Sequence, residues 1–287
     1  MPSHNNIALI TDSTSDIPQE LVDRYDIIVV PLLIIWGEET LRDHVDLQPQ
    51  AFYQRLTEDA VHPKTAHPNP SRFVRAYKEA KENGAKEIVI ITISSAMSGT
   101  FNAAQQAARQ VDIPVHCLDA RGPTMSLGWQ VLAAARAREA GGDVQAMLTA
   151  AEKVRQELVQ FVCLDTLEYL HKGGRIGGAT RFIGTLLHVK PIIYIDHETG
   201  RVEPATQVRT RKRSLETFYQ RFFEQLDTSS PLHIAVMHGA APEEAQRMAG
   251  RIRRDYAPAE LLVNITGPVL GVHTGPGAIA LCAYAEK

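Results

Sequence analysis

The sequence predicts an α/β protein in two parts. The N-terminal domain, residues 1–159, is built on a parallel sheet, and the C-terminal domain, residues 160–287, is mixed α+β. Three observations carry this reading. Short apolar runs alternate with helical patterns through the first part, as in βαβ units. From Phe161 onward the spacing changes to hairpin-like pairs of apolar runs. The 287 residues, 44% hydrophobic and 22% charged, suit two modest domains with sizeable cores.

The elements follow in order. Strands are expected at Ile7–Ile10, Ile27–Ile34, Ile88–Ile93 and Val115–Leu118. Pro31 denies the second of these a ladder donor, which puts that strand at an edge or gives it a bulge. Helices are expected at Gln19–Arg24, at Pro70–Asn83 closed by Gly84, at Phe101–Gln110, and at Met125–Ala140 closed by Gly141 and Gly142. Asp143 caps a further helix to about Val159. In the second part, Ile192–Ile195 and Val202–Val208 flank a Glu-Thr-Gly turn and read as an antiparallel hairpin. A helix at about Ser214–Leu226, a strand at His233–Met237 and a helix at Pro242–Arg254 follow, the last with proline at its entrance. Strands at Leu261–Ile265 and Ala278–Tyr284 close the order.

Composition narrows the function. Thirty Lys and Arg against 33 Asp and Glu leave a net charge of -3, without the basic excess that bulk nucleic-acid binding needs. Cys117, Cys163 and Cys282 each sit in an apolar stretch, as buried free thiols do in a reducing compartment, and no pair has zinc-ligand spacing. The opening MPSHNNIALI lacks the regions of a signal peptide, and the apolar run Ile27–Trp36 is too short to span a bilayer. The expectation is a cytoplasmic protein with no integral membrane association and no cofactor.

Two expected strands of the first part end in hydroxyl-rich loops, Thr11–Asp16 and Ser94–Thr100. Ligands of open α/β sheets sit at the carboxyl ends of strands, where helix starts add unpaired N–H groups. Asp16 and Thr100 read as helix caps, whereas the four hydroxyls of Ser94–Thr100 exceed what capping needs and point to a ligand. The second part adds the glycine-rich segments Lys172–Gly178 and Gly267–Gly277, which suit tight turns or a site approached closely by backbone. Arg175 and His273 lie within them. The cluster Arg209-Thr-Arg-Lys-Arg213 opposes the dipole of the helix it precedes, and reads either as a seat for an anionic partner or as a solvated basic face.

Several motif matches fail on context. Gly275-Pro-Gly-Ala-Ile-Ala280 has dinucleotide spacing but no βαβ unit after it, and Gly173–Gly178 has P-loop spacing without the lysine. Ser98 lacks the first glycine of a nucleophile elbow.

Five segments together resemble the DegV-type bacterial fatty-acid-binding proteins: Ile10–Pro18, Ile93–Thr100, Leu167–Ile176, Lys190–Ile193 and His273–Gly277, in the family's order and across essentially the whole chain. The resemblance implies a carrier rather than a self-sufficient enzyme. It implies one long-chain fatty acid, of about C14–C18, held between the two domains with its carboxylate presented to a separate fatty acid kinase that makes the acyl phosphate. It implies head-group contacts at Thr65, Ser94 and Ser95, with Arg175 and His273 around the same opening. The chain departs from the family at Ala66 and His67, where Ser and Gln are usual, and at Ala96, where Gly is common. Phe182–Leu187 suits either the acyl tail or the core. Arg209 is the candidate contact for the partner or its phosphate.

Two rival readings stand beside this one. A serine acyl hydrolase would use Ser94 or Ser95 with His273 and Asp12, since a triad is defined by geometry rather than order. A polyol- or sugar-phosphate-binding kinase subunit would need a polar pocket without an apolar tunnel.

Overall fold

The computed structural model describes residues 6–185 and 189–287, without the side chains of residues 183–185. The N-terminal sheet is wholly parallel, in the order β2-β1-β6-β7, from β1 (Ile7–Asp12), β2 (Ile27–Val30), β6 (Glu87–Thr92) and β7 (Val115–Asp119). The helices after these strands are α1 (Gln19–Arg24), α3 (Pro70–Glu82), α4 (Thr100–Ala108) and α5 (Met125–Glu139), and α6 (Val144–Glu157) follows α5. The expected strand Ile27–Ile34 is instead two strands in two sheets. Pro31 has no N–H to continue the ladder, and the chain leaves the parallel sheet there to enter β3 (Leu33–Trp36). With β4 (Glu39–Arg42) and β5 (Lys64–Ala66), β3 makes a small antiparallel sheet that packs on α2 (Pro49–Glu58).

The second large sheet runs β10-β9-β8-β13-β11-β12. Its strands are β8 (Val159–Cys163), β9 (Lys190–Asp196), β10 (Arg201–Val208), β11 (Leu232–His238), β12 (Glu260–Ile265) and β13 (Ile279–Ala285), antiparallel except for β11 and β12. α8 (Arg211–Gln225) and α9 (Pro242–Tyr256) cover one face of it. Two short helices, α7 (Glu168–Lys172) and α10 (Pro268–Thr274), stand at the strand ends, and a 3-10 run spans Gly177–Thr185.

Period-two alternation sorts the strand residues into layers. Ile88 and Ile90 face α3 and α4, while Val89 and Ile91 face α5 and α6. In the second sheet Phe161 and Leu281 face α8 and α9, while Val162, Ala280 and Cys282 turn to the same α5–α6 layer. The order is therefore helices, parallel sheet, helices, mixed sheet, helices. α5 touches both sheets and is buried from Met125 to Leu132 without a break, so it shows no polar stripe. Residues 159 and 160 fall at the start of β8, where the chain passes from this layer to the second sheet.

Candidate functional site

Where α5 and α6 do not fill the central layer, a cavity of about 290 Å³ remains. Its floor is the inward face of the second sheet: Val162, Ile193, Ile195, Val202, Ala278 and Ala280. Its roof comes from the carboxyl ends of the parallel strands and from α10, with Leu32, Ile93, Pro123, Val269 and Leu270. Polar side chains gather at one end, where Thr65, His67, Ser98, Arg175, His273 and Thr274 border the space. Met97, Arg175 and Val202 there also border a shallower surface depression with Ala96 and Arg201, which makes this end the mouth.

Each mouth residue is set by its element. Thr65 lies in the middle of β5, paired across from Ile34, and its Oγ1 shares a hydrogen bond of 2.9 Å with Nε2 of His273. His273 stands in the last turn of α10. A side chain at Gly173 would meet its Nδ1 at 2.1 Å, so glycine there is what lets α7 close against the ring. Nδ1 is buried and has no hydrogen-bond partner among the described residues. Burial, with the nearby positive charges of Arg175 and His62, pushes His273 down to about 4, so the ring is neutral at physiological pH. The Arg175 guanidinium donates to the carbonyls of Met97 (3.2 Å) and Gly173 (2.8 Å) and has no carboxylate within ion-pair distance among the described residues. Its charge is left for the mouth.

The structure thus brings Thr65, Arg175 and His273 together. Ser94 and Ser95 lie outside the lining. The Ser94 hydroxyl is buried and donates to the carbonyl of Gly200 in the β9–β10 turn (2.7 Å), while Ser95 is exposed and its N–H donates to Asp119. The same loop lends Met97 and Ser98 to the cavity instead. Arg209 is exposed at the end of the hairpin, away from the lining and without an ion pair among the described residues. The inward member of its cluster is Arg211, which pairs with Glu244 and Asp165 and donates to the carbonyl of Gly277 (2.6 Å). Asp16 does not cap α1: it accepts from the Thr124 hydroxyl (2.7 Å) and from the N–H of Gly267 (2.9 Å), tying the first hydroxyl loop to the start of α10. Of Phe182–Leu187, Phe182 packs against the core, and the rest lies outside the residues whose side chains are described.

The hydroxyl-imidazole-carboxylate relay of a hydrolase is not assembled. His273 bonds Thr65 rather than a serine and has no orienting carboxylate among the described residues, and Asp12 is occupied by the N–H groups of Thr14 and Ile93. The largely apolar lining also disfavours a sugar phosphate. Among the described residues, no helix is long and apolar enough to cross a membrane, and no cluster of three His, Cys, Asp or Glu side chains is placed to hold a metal ion. Sequence reasoning missed Gln160, which lines the cavity from β8. Its signal was a polar residue on the inward phase of the run Val159-Gln-Phe-Val-Cys163.

Comparison with known proteins agrees with this architecture. The family model for uncharacterised proteins of the DegV family matches residues 6–286. A DegV domain-containing protein of Streptomyces coelicolor is 37% identical, over 96% of this chain and 97% of its own length. Protein DegV of Bacillus subtilis is 31% identical over 96% and 98%. Among solved structures, a fatty-acid-binding DegV family protein of Thermus thermophilus superposes with a TM-score of 0.89 at 33% identity, covering 98% of this chain and 99% of that one. DegV of Bacillus subtilis, described as a fatty acid binding protein, gives 0.90 at 31% identity with the same coverage. The chain belongs to the DegV family.

Proposed function

We propose that this DegV family chain holds one long-chain fatty acid in the cavity, head group at the mouth and tail along the apolar floor. The observation that carries the reading is a largely apolar space with a cation unpaired among the described residues and a hydroxyl at its mouth. Burying about fourteen methylenes at ~0.8 kcal/mol each gives roughly 11 kcal/mol before association costs. At the mouth, a neutral His273 with its proton on Nε2 donates to Thr65, which frees the Thr65 proton for a carboxylate oxygen. Arg175 supplies the countercharge. A carboxylate taken out of water needs such partners or pays several kcal/mol. The fatty-acid-binding relatives from Thermus thermophilus and Bacillus subtilis support the same class of ligand.

The further step we propose is presentation to a separate kinase. A carboxylate oxygen at the mouth attacks the phosphorus of a donor held by the kinase, whose leaving group departs with the bonding electron pair. Positive side chains beside that transfer stabilise it, and exposed Arg209 is the candidate. The ligand reading is tested by expressing the protein in bacteria, extracting it under denaturing conditions and weighing what is released. A C14–C18 fatty acid is expected. An empty protein whose thermal transition also ignores added fatty acid overturns the reading.

A further inference from the structure

The floor of the cavity is not wholly apolar. On β8, Gln160 shares the inward face with Val162, and its strand neighbours at the same level are Ile195 and Cys282. It is 2% exposed and lines the cavity. In the same row across the sheet, Ile195 pairs with Val202, which also lines the cavity. Trp129, buried and donating its indole N–H to the Cys282 carbonyl, packs there.

Half of the Gln160 carboxamide is satisfied and half is not. The Ser126 hydroxyl lies 2.6 Å from Oε1 of Gln160 and 2.8 Å from the carbonyl of Pro123. A hydroxyl has one proton. If it goes to Gln160, Nε2 is left over. If it goes to Pro123, the amide must turn Nε2 toward Ser126, and Oε1 is left over instead. Either way one end of the amide has no partner among the described residues and borders a space otherwise floored by Val162, Ile193, Ile195 and Ala280. A plain hydrocarbon tail would seal that group away from water unpaired, a loss that buried amides avoid.

Resting on the fatty-acid reading above, we propose that Gln160 is a specificity-determining residue and that the cavity prefers acyl chains carrying a hydroxyl group on the tail. A hydroxyl both donates and accepts, so it answers the amide in either setting. The test is competitive displacement of a fluorescent fatty acid by hexadecanoic acid and by a series of its monohydroxy derivatives that walks the hydroxyl along the whole chain. On the wild-type protein one position is expected to bind about tenfold tighter than the parent acid. Gln160→Met is expected to bind the parent acid more tightly and to lose the preference. A flat series on the wild-type protein, which needs no variant to fold, overturns the proposal while leaving the fatty-acid reading intact. So does a preference that survives in Gln160→Met. Failure of every acid to bind, the parent included, removes both.

Discussion

The two hydroxyl-rich loops look alike in sequence and do opposite things. Thr11–Asp16 is spent on the framework: Thr11 donates to the Ile91 carbonyl, Asp12 accepts from Thr14 and Ile93, Ser13 bonds Asp43 and the N–H of Leu32, and Asp16 holds Thr124 and Gly267. Ser94–Thr100 is anchored mainly by Ser94, through Gly200, and leaves Met97 and Ser98 on the cavity. The difference lies in what surrounds each loop. The first is wrapped by β3, the segment after β4 and α10, so its polar groups find partners from three directions. The second faces the gap in the central layer. A hydroxyl-rich loop borders a cavity only where the fold does not wrap it on every side.

The sharpest break in this comparison is Asp12→Ala against Ser98→Ala. The first strips the acceptor from two buried N–H groups and the Thr14 hydroxyl, and about 3–5 kcal/mol of stability should go with it. The second loses only the Ser98 bonds to the Thr100 N–H and hydroxyl at the start of α4 and should cost about 1 kcal/mol. Urea unfolding of both variants decides: similar losses would mean that the loops are equivalent after all.

A smaller effect should appear in the pH dependence of the first loop's surroundings. Burial pushes Asp43 up to about 7, against the opposing pull of His44 and of the Ser13 and Val269 hydrogen bonds. Because the folded-state value lies above the unfolded one, the folded protein binds this proton more tightly. The group's contribution is therefore greatest below about pH 4 and is lost as the pH rises through about 7. Asp43→Asn removes that dependence. Its stability relative to wild type should improve between pH 5 and pH 8 by on the order of 2 kcal/mol. Denaturant midpoints of both proteins at the two pH values measure this, and a difference that does not change with pH would place the titration elsewhere.

The smallest expected change separates head-group binding from presentation. Thr65→Val should lose about 1 kcal/mol of affinity for a fatty acid and almost none for its methyl ester. Arg209→Ala should bind both ligands as wild type does while acyl-phosphate formation with a cognate kinase collapses. Equal losses for acid and ester in Thr65→Val would make that residue a support for β5 rather than a head-group contact, and loss of binding in Arg209→Ala would move Arg209 into the structure.

Much of the fold was legible because it is local. Apolar runs, glycine stops and the Asp143 cap give β1, β6, β7, α3, α5 and α6 nearly as observed. Pro31 was legible as a disturbance but not as a change of sheet, because the partners of β3 are set by β4 and β5, three or four residues long and without their own pattern. The placement of the site was harder to read. That Arg211 turns inward while Arg209 stays in solvent depends on Glu244 and Asp165, far away in sequence. That Ser98 rather than Ser94 borders the cavity depends on the β9–β10 turn docking on the loop. Neither contact leaves a trace in periodicity.

The burial of α5 on all sides has a consequence for exchange kinetics. Because one continuous core joins Leu9 and Val89 to Ala280 and Cys282 through this helix, the two sheets cannot rock apart without undoing it. On the fatty-acid reading, a bound chain would then enter and leave by local motion at the mouth, around β5, α7 and the Ser94–Thr100 loop. Loading and unloading would thereby be decoupled from global opening.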